Sequence, residues 1–229
     1  MTNRMLALMR HLPISAILLV LLCLMACAER PADAVLADET DSLATSPDAA
    51  RVLPDTAATA LPSTATLAVT ADSVVAALAD SNWTKLASYV HPEHGVRFVP
   101  YSYVDSSAQV FTRAQIPRLG GGSQTYLWGN YDGTGDPIEL TFGDYYNEFI
   151  YDKAYRQAPQ GDPNEQLGSG NSLNNIADFY AGRDVSFVEY YVPGTDEYNG
   201  MNWGSLRLVF EQEDNAWYLV AIIHDEWTI

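Results

Sequence analysis

Leu206-Arg207-Leu208-Val209-Phe210-Glu211, the polar break Gln212-Glu213-Asp214-Asn215, and the run Ala216-Trp217-Tyr218-Leu219-Val220-Ala221-Ile222-Ile223-His224 decide how this chain is read. Two runs of β-branched and aromatic residues around a short acidic turn predict an antiparallel hairpin. The second run is apolar at odd and even positions alike. Both faces of its strand must then be covered, which places it at the centre of a sheet.

Working back towards the start, Asp184 to Val192 reads as a strand that ends before Pro193-Gly194, and Ser172 to Tyr180 as a short helix. Thr141 can cap a helix over Phe142 to Tyr151, and Gln124 to Tyr131 is a strand carrying Tyr126 and Trp128 on one parity. Val96 to Val104 is strand or irregular hairpin, and Thr112 to Leu119 a helical turn closed by Gly120-Gly121-Gly122. Asn82 can cap a helix over Trp83 to Val90 whose Trp83, Leu86, Ala87 and Val90 form one apolar stripe, stopped by His91-Pro92. Before it, Asp72 can cap a helix over Ser73 to Ala79. Early helices, scattered short ones and a sheet completed at the C-terminus make this α+β.

The first part of the chain reads as an address. Arg4 and Arg10 precede an apolar run from Leu12 to Ala26, the pattern of a secretory signal over residues 1–26. That run is shorter than the roughly 20 residues needed to span a bilayer. Leu24-Met25-Ala26-Cys27 resembles the bacterial lipobox, a resemblance that implies acylation of Cys27 and anchoring in a lipid bilayer. Ala28 in place of Asp implies the periplasmic side of the outer membrane if the source is Gram-negative. Residues 27–70, rich in Ala, Thr, Asp, Ser and Pro and without aromatics, read as a disordered tether to a domain spanning 71–229. Cys23 and Cys27 are the only cysteines, so the domain has no disulfide and no thiolate ligand or nucleophile. A net charge of −17 argues against nucleic-acid binding.

Val74 to Val90 closed by His91-Pro92-Glu93, together with the hairpin of Leu206 to Trp227, resembles the NTF2-like (SnoaL-like, cystatin-like) superfamily. More narrowly, Gly95-Val96-Arg97-Phe98, Tyr126-Leu127-Trp128-Gly129, Tyr131-Asp132-Gly133 and the ending Ile223-His224-Asp225-Glu226-Trp227-Thr228-Ile229 are similar to a group of exported bacterial lipoproteins. The resemblance implies a strongly curved antiparallel sheet with N-terminal helices packed into its concave face, a cone that can hold a ligand. It transfers no catalytic residue, and function has to be argued from a site.

Several constellations are candidates. His224 and Glu226 are two apart and share a strand face with Tyr218, Val220 and Ile222, so an imidazole with an orienting carboxylate is a candidate general base. Glu189 lies on the parity of Val185, Phe187 and Tyr191 and is either a carboxylic acid with a raised pKa or a partner of Arg207 or Arg97. His91 and His94 flank Glu93, but Pro92 makes the segment a turn in which the rings need not converge, so no metal is expected there. Asp132-Gly133-Thr134-Gly135-Asp136 has Pro137 where a calcium loop wants glycine and reads as a hairpin turn. The residue count includes 14 Tyr, 5 Trp and 7 Phe, enough to line a pocket or an interface. Tyr126, Trp128, Tyr145, Tyr146 and Tyr218 are the candidate ligand-binding residues. The resulting expectation is an envelope lipoprotein that binds a small apolar ligand or a partner protein without catalysis and without a cofactor. The alternative is an acid–base enzyme of the isomerase, dehydratase or hydrolase kind using His224 and a carboxylate.

Overall fold

The computed structural model describes residues 64–228. The expected signal, Cys27 and most of the expected tether lie outside the described residues. Within them the chain is α+β, and among them no helix is long and apolar enough to cross a membrane.

A five-stranded sheet runs in the order β2 (Val110–Phe111), β1 (Val96–Val99), β7 (Ala216–Glu226), β6 (Gly204–Glu213), β5 (Val185–Val192). The terminal run is the central strand, and Leu219 to Asp225 are buried without a break, as its two-sided apolar pattern requires. The sheet is not wholly antiparallel. β1 pairs parallel with β7, with Arg97 opposite Ala221 and Val99 opposite Ile223. A strand entering from the far N-terminal side of the chain can lie parallel because a long connection separates the two. β3 (Thr125–Asn130) and β4 (Pro137–Thr141) form a separate two-stranded ribbon whose turn is Asp132 to Asp136.

One face of the sheet is covered by α1 (Thr64–Ala79) and α2 (Trp83–Tyr89), and shares a core with them through Leu206, Leu208, Phe210, Leu219 and Ile222. α1 starts within the stretch expected to be tether. Leu67, Ala71, Val74, Val75 and Leu78 form a buried stripe at helical spacing, which outweighs a composition that looks featureless. Asp72 is therefore inside the helix and not its cap, and its carboxylate accepts from the Tyr190 hydroxyl at 2.8 Å and the Gln160 amide at 2.9 Å. α2 is capped as expected, Asn82 accepting from the Lys85 amide. α3 (Ile116–Leu119) packs beside it. The helix expected over Phe142 to Tyr151 is a short α4 (Phe142–Tyr145), capped by Thr141, that continues as a π-helical turn over Tyr146–Ile150. The helix expected over Ser172 to Tyr180 is reduced to α5 (Ile176–Phe179).

The opposite face holds a smaller core of Val99, Val104, Ile176, Phe187, Val209 and Ile223 beneath the 100–108 and 160–180 segments. A bulge in β7 divides the strand. Val209 pairs with Ala221 but Phe210 with Leu219, so Val220 is an unpaired extra residue. Leu219 then faces the helices while Val220 joins the smaller core, and the simple even-residue face that ran from Tyr218 to His224 does not exist.

Candidate functional site

Three clusters of charged and histidine side chains are built on this sheet, and the one around His224 lies on the helix-covered side. There His224 is fully buried at the end of β7, with the Phe149 ring edge-on at 5.7 Å. Its Nδ1 is 3.1 Å from the Pro100 carbonyl and donates to it, while Nε2 lies 3.5 Å from Asp152 Oδ1. That second distance suits a charge pair better than a hydrogen bond. The same Asp152 oxygen accepts from the Tyr155 hydroxyl at 2.7 Å, and its other oxygen lies 3.0 Å from Lys153 Nζ. Burial alone would lower the His224 pKa, but Asp152, with Glu226 and the Pro100 carbonyl, more than offsets it and leaves the ring above its ordinary value. For Asp152, burial opposes ionisation, yet His224, Tyr155 and Lys153 hold its pKa at about 2. Burial pushes the Tyr155 hydroxyl well up, with the Asp152 charge adding to it. Glu226 shares the His224 side and is raised by burial, but the carboxylate nearest the imidazole is Asp152. Nδ1 is held by a backbone carbonyl, and Nε2, which no hydrogen bond engages, faces the Asp152 carboxylate in a site with no exposure to solvent.

On the opposite face, Glu189 and Arg207 are cross-strand partners and neither reaches solvent. Arg207 donates through Nε to Glu189 Oε2 at 2.8 Å, through Nη1 to the Ser102 hydroxyl at 2.6 Å, and through Nη2 to Asp225 Oδ2 at 2.8 Å. Glu189 also accepts the amides of Leu167 and Gly168. Its lone pairs are filled by the guanidinium and backbone donors, which is the arrangement of a structural charge and not of a proton donor. The network holds the 167–168 segment and Ser102 onto the sheet. Arg97, the other partner considered for Glu189, instead donates to the carbonyls of Asp105, Ser106 and Ala108 and lies over the Phe179 ring.

The third cluster corrects the expectation about the His-Pro turn. The rings of His91 and His94 converge, stacked with centroids 4.2 Å apart, and both reach Glu211. Gly95, at φ +67°, closes the turn that brings them together. His91, His94 and Glu211 offer donor atoms close enough together to hold a metal ion. The protonation pattern opposes it. His91 Nδ1 accepts the backbone amides of Glu93 and His94, so its proton is on Nε2, which points at Glu211 and Glu213 at 3.3 Å. A ligating nitrogen cannot carry that proton. Arg183 also occupies the carboxylate, its Nε 2.7 Å from Glu211 Oε1 and its Nη2 bonded to Oε2 and lying 2.7 Å from His94 Nδ1. Arg183 and His94 hold the Glu211 pKa at about 2, against the opposing effect of burial. His91 is lowered, by burial first and by His94 next.

The five aromatics expected to line one pocket are dispersed. Trp128 and Tyr145 are stacked in the core at 3.9 Å and 13°, with the Trp128 indole donating to the Leu140 carbonyl. Phe98, Phe142 and Phe149 surround them with mostly edge-on or tilted contacts. Tyr146, half-buried, donates to the Leu78 carbonyl at 2.7 Å, and Tyr218 is packed between the His91 ring and the Arg113 guanidinium. Of the five, Tyr126 borders an open cavity. Asp152, Arg183 and Glu211 were not singled out from the sequence. They are brought in by a π-helical turn, a loop and a distant strand, none of which leaves a periodic signature.

No family model and no curated protein matches the chain. Among solved structures, the chain is similar to a putative calcium/calmodulin-dependent protein kinase II association domain from Xanthomonas campestris, at 17% identity. That match covers 73% of this chain and 91% of the other, with a TM-score of 0.32.

Proposed function

We propose that this chain is an exported, lipid-anchored module of the cell envelope that works by non-catalytic binding of a small ligand or a partner protein, on an NTF2-like sheet whose hollow side is plugged. The observation that carries the reading is the filling of the helix-covered side. Trp128, Tyr145 and their aromatic neighbours take up the space behind β7, and His224 is fully buried against the Phe149 ring. A substrate would have no path to the imidazole, whereas binding from the surface needs none. Native mass spectrometry of the protein produced in its own host is the test. A retained ligand or partner is expected, and a bare chain would refute the reading. The anchor is tested separately, because a Cys27→Ala variant should leave the membrane fraction.

The enzymatic alternative draws on the perturbed His224–Asp152 pair, since paired groups with displaced pKa values are common in active sites. Its test is protection of the imidazole from solvent. An NMR signal for the His224 ring proton that exchanges slowly favours the binding module, and fast exchange with saturable ligand shifts favours the enzyme.

A further inference from the structure

The cavity that Tyr126 borders lies between β2, α3 and β3, and His224 is not among the residues that line it. It has a volume of about 350 Å³, at the small end of the range of roughly 300–1,000 Å³ usual for ligand sites. Its apolar side is Phe111, Leu119 and Tyr126, the two rings meeting edge-on at 5.2 Å. Its polar side is Gln115, Arg118 and Gln124, and no acidic residue lines it. Gln115 spends its carbonyl oxygen on the Thr112 amide and hydroxyl, which leaves its amide donors for a guest.

Arg118 is the unusual member. Every other basic side chain among the described residues has a partner. Arg97, Arg183, Arg207 and Lys153 belong to the networks above, Lys85 lies over the Tyr89 ring, Arg113 donates to the Val90 carbonyl, and Arg156 meets Asp80. Arg118 has none, although 29 acidic residues were available to the chain. An unpaired guanidinium beside an aromatic floor, with further donors around it and no carboxylate, is arranged for an anion that has an apolar body. Long-range repulsion from an acidic protein does not prevent this, because screening limits it to about 8 Å at physiological salt.

We infer that this cavity is a binding site for small carboxylates with an aromatic or short aliphatic body, the carboxylate on Arg118 and the body on Phe111, Leu119 and Tyr126. This rests on the binding-module reading and names its ligand class. Arg118 supplies two parallel donors that match a carboxylate, and the size of the cavity accommodates one ring or a short acyl chain.

The test uses the full chain in neutral phosphatidylcholine nanodiscs, titrated by NMR with 3-phenylpropionate and with its uncharged amide. Wild type should bind the carboxylate about tenfold more tightly than the amide, the scale of one charge-assisted contact at an exposed site. Arg118→Gln should abolish that preference without changing the melting curve, since Arg118 holds no other group. Tyr126→Ala should weaken both ligands, and inorganic phosphate should not displace either. Equal affinities in wild type, a preference that survives Arg118→Gln, or displacement by phosphate would each overturn the site. The two readings fail separately. A host-derived ligand retained equally by wild type and Arg118→Gln overturns this site but leaves the binding module standing. Arg118-dependent binding of phenylpropionate by a protein that retains nothing from its host keeps the site and overturns that reading.

Discussion

Glu189 and Arg207 face each other across β5 and β6, joined at 2.8 Å and both excluded from water. Asp225, 2.8 Å from the other arm of the guanidinium, makes this a buried triad with one more negative charge than positive. Burial accordingly raises the Asp225 pKa despite the arginine beside it. Removal of the cation would leave two carboxylates in a dry site, so Arg207→Met should destabilise the fold by about 3–5 kcal/mol. Arg156→Met, at an exposed pair with Asp80, should change stability by less than about 1 kcal/mol. Urea unfolding of the two variants measures the contrast, and similar midpoints would mean that the triad is not the clamp between the sheet and Gly168.

The His224–Asp152 pair makes a pH prediction in two directions. The folded pKa of His224 is raised, so its contribution is fully present below its unfolded value of 6.5 and is lost as pH rises through the folded value. That of Asp152 is depressed to about 2, so its contribution is present above 3.8 and is lost as pH falls from there towards 2. Stability should therefore decline on the alkaline side of 6.5 in wild type, and this decline should be absent in His224→Asn. Denaturation midpoints measured from about pH 5 to pH 9 decide it, because an identical slope in the variant assigns the decline to another group.

His91 titrates with the opposite sign. Its folded pKa is lowered, so its contribution is complete above 6.5 and falls as pH drops through the interval down to the folded value. Protonation would set a positive charge against the His94 ring, 4.2 Å away, and put a proton on the nitrogen that now accepts two amides. His91→Asn should remove the acid-side loss just below 6.5 while leaving the Asp152 loss near its own lower range. Adding zinc to wild type should not raise the melting temperature, since the Nε2 proton and Arg183 hold the positions a metal would need. A zinc-dependent rise would reverse the tautomer assignment.

The central position of β7, the α+β class and the Asn82 and Thr141 caps were all legible in the chain. Each follows from local side-chain chemistry: apolar residues on both parities, or an oxygen placed to meet a free helix amide. The pairing of Glu189 with Arg207 was legible as one of two options, since both sit mid-strand among apolar neighbours. The bulge at Val220 was not, because Leu219-Val220-Ala221 is apolar throughout and parity carries no information there. That one extra residue moves Val220 off the His224 side and breaks up the proposed row of site residues. The start of α1 was missed because Asp72 reads as a cap, whereas its carboxylate is used sideways by Tyr190 and Gln160. The partners of His224 and His91 depend on long-range packing, so no spacing in the chain could announce Asp152 or Glu211.

Gly120 tests how closely α3 is seated on α2. Its backbone, at φ −62° and ψ −20°, is one any residue can adopt, so the glycine is not there for conformational freedom. A Cβ placed on it would lie 1.9 Å from Trp83 Nε1 and 2.4 Å from Cδ1. Trp83 cannot yield easily, because Phe142 and Tyr146 hold its ring edge-on at 5.1 and 5.2 Å. Gly120→Ala should therefore cost about 1–3 kcal/mol as overpacking, although alanine normally favours helical backbone. Gly121→Ala, where an added Cβ meets nothing within 4 Å, should be neutral or slightly stabilising. Thermal melts of the two variants, with the Trp83 environment followed by near-ultraviolet circular dichroism, separate these outcomes. Equal melting temperatures would show that the indole can move aside and that the α2–α3 contact is looser than its geometry implies.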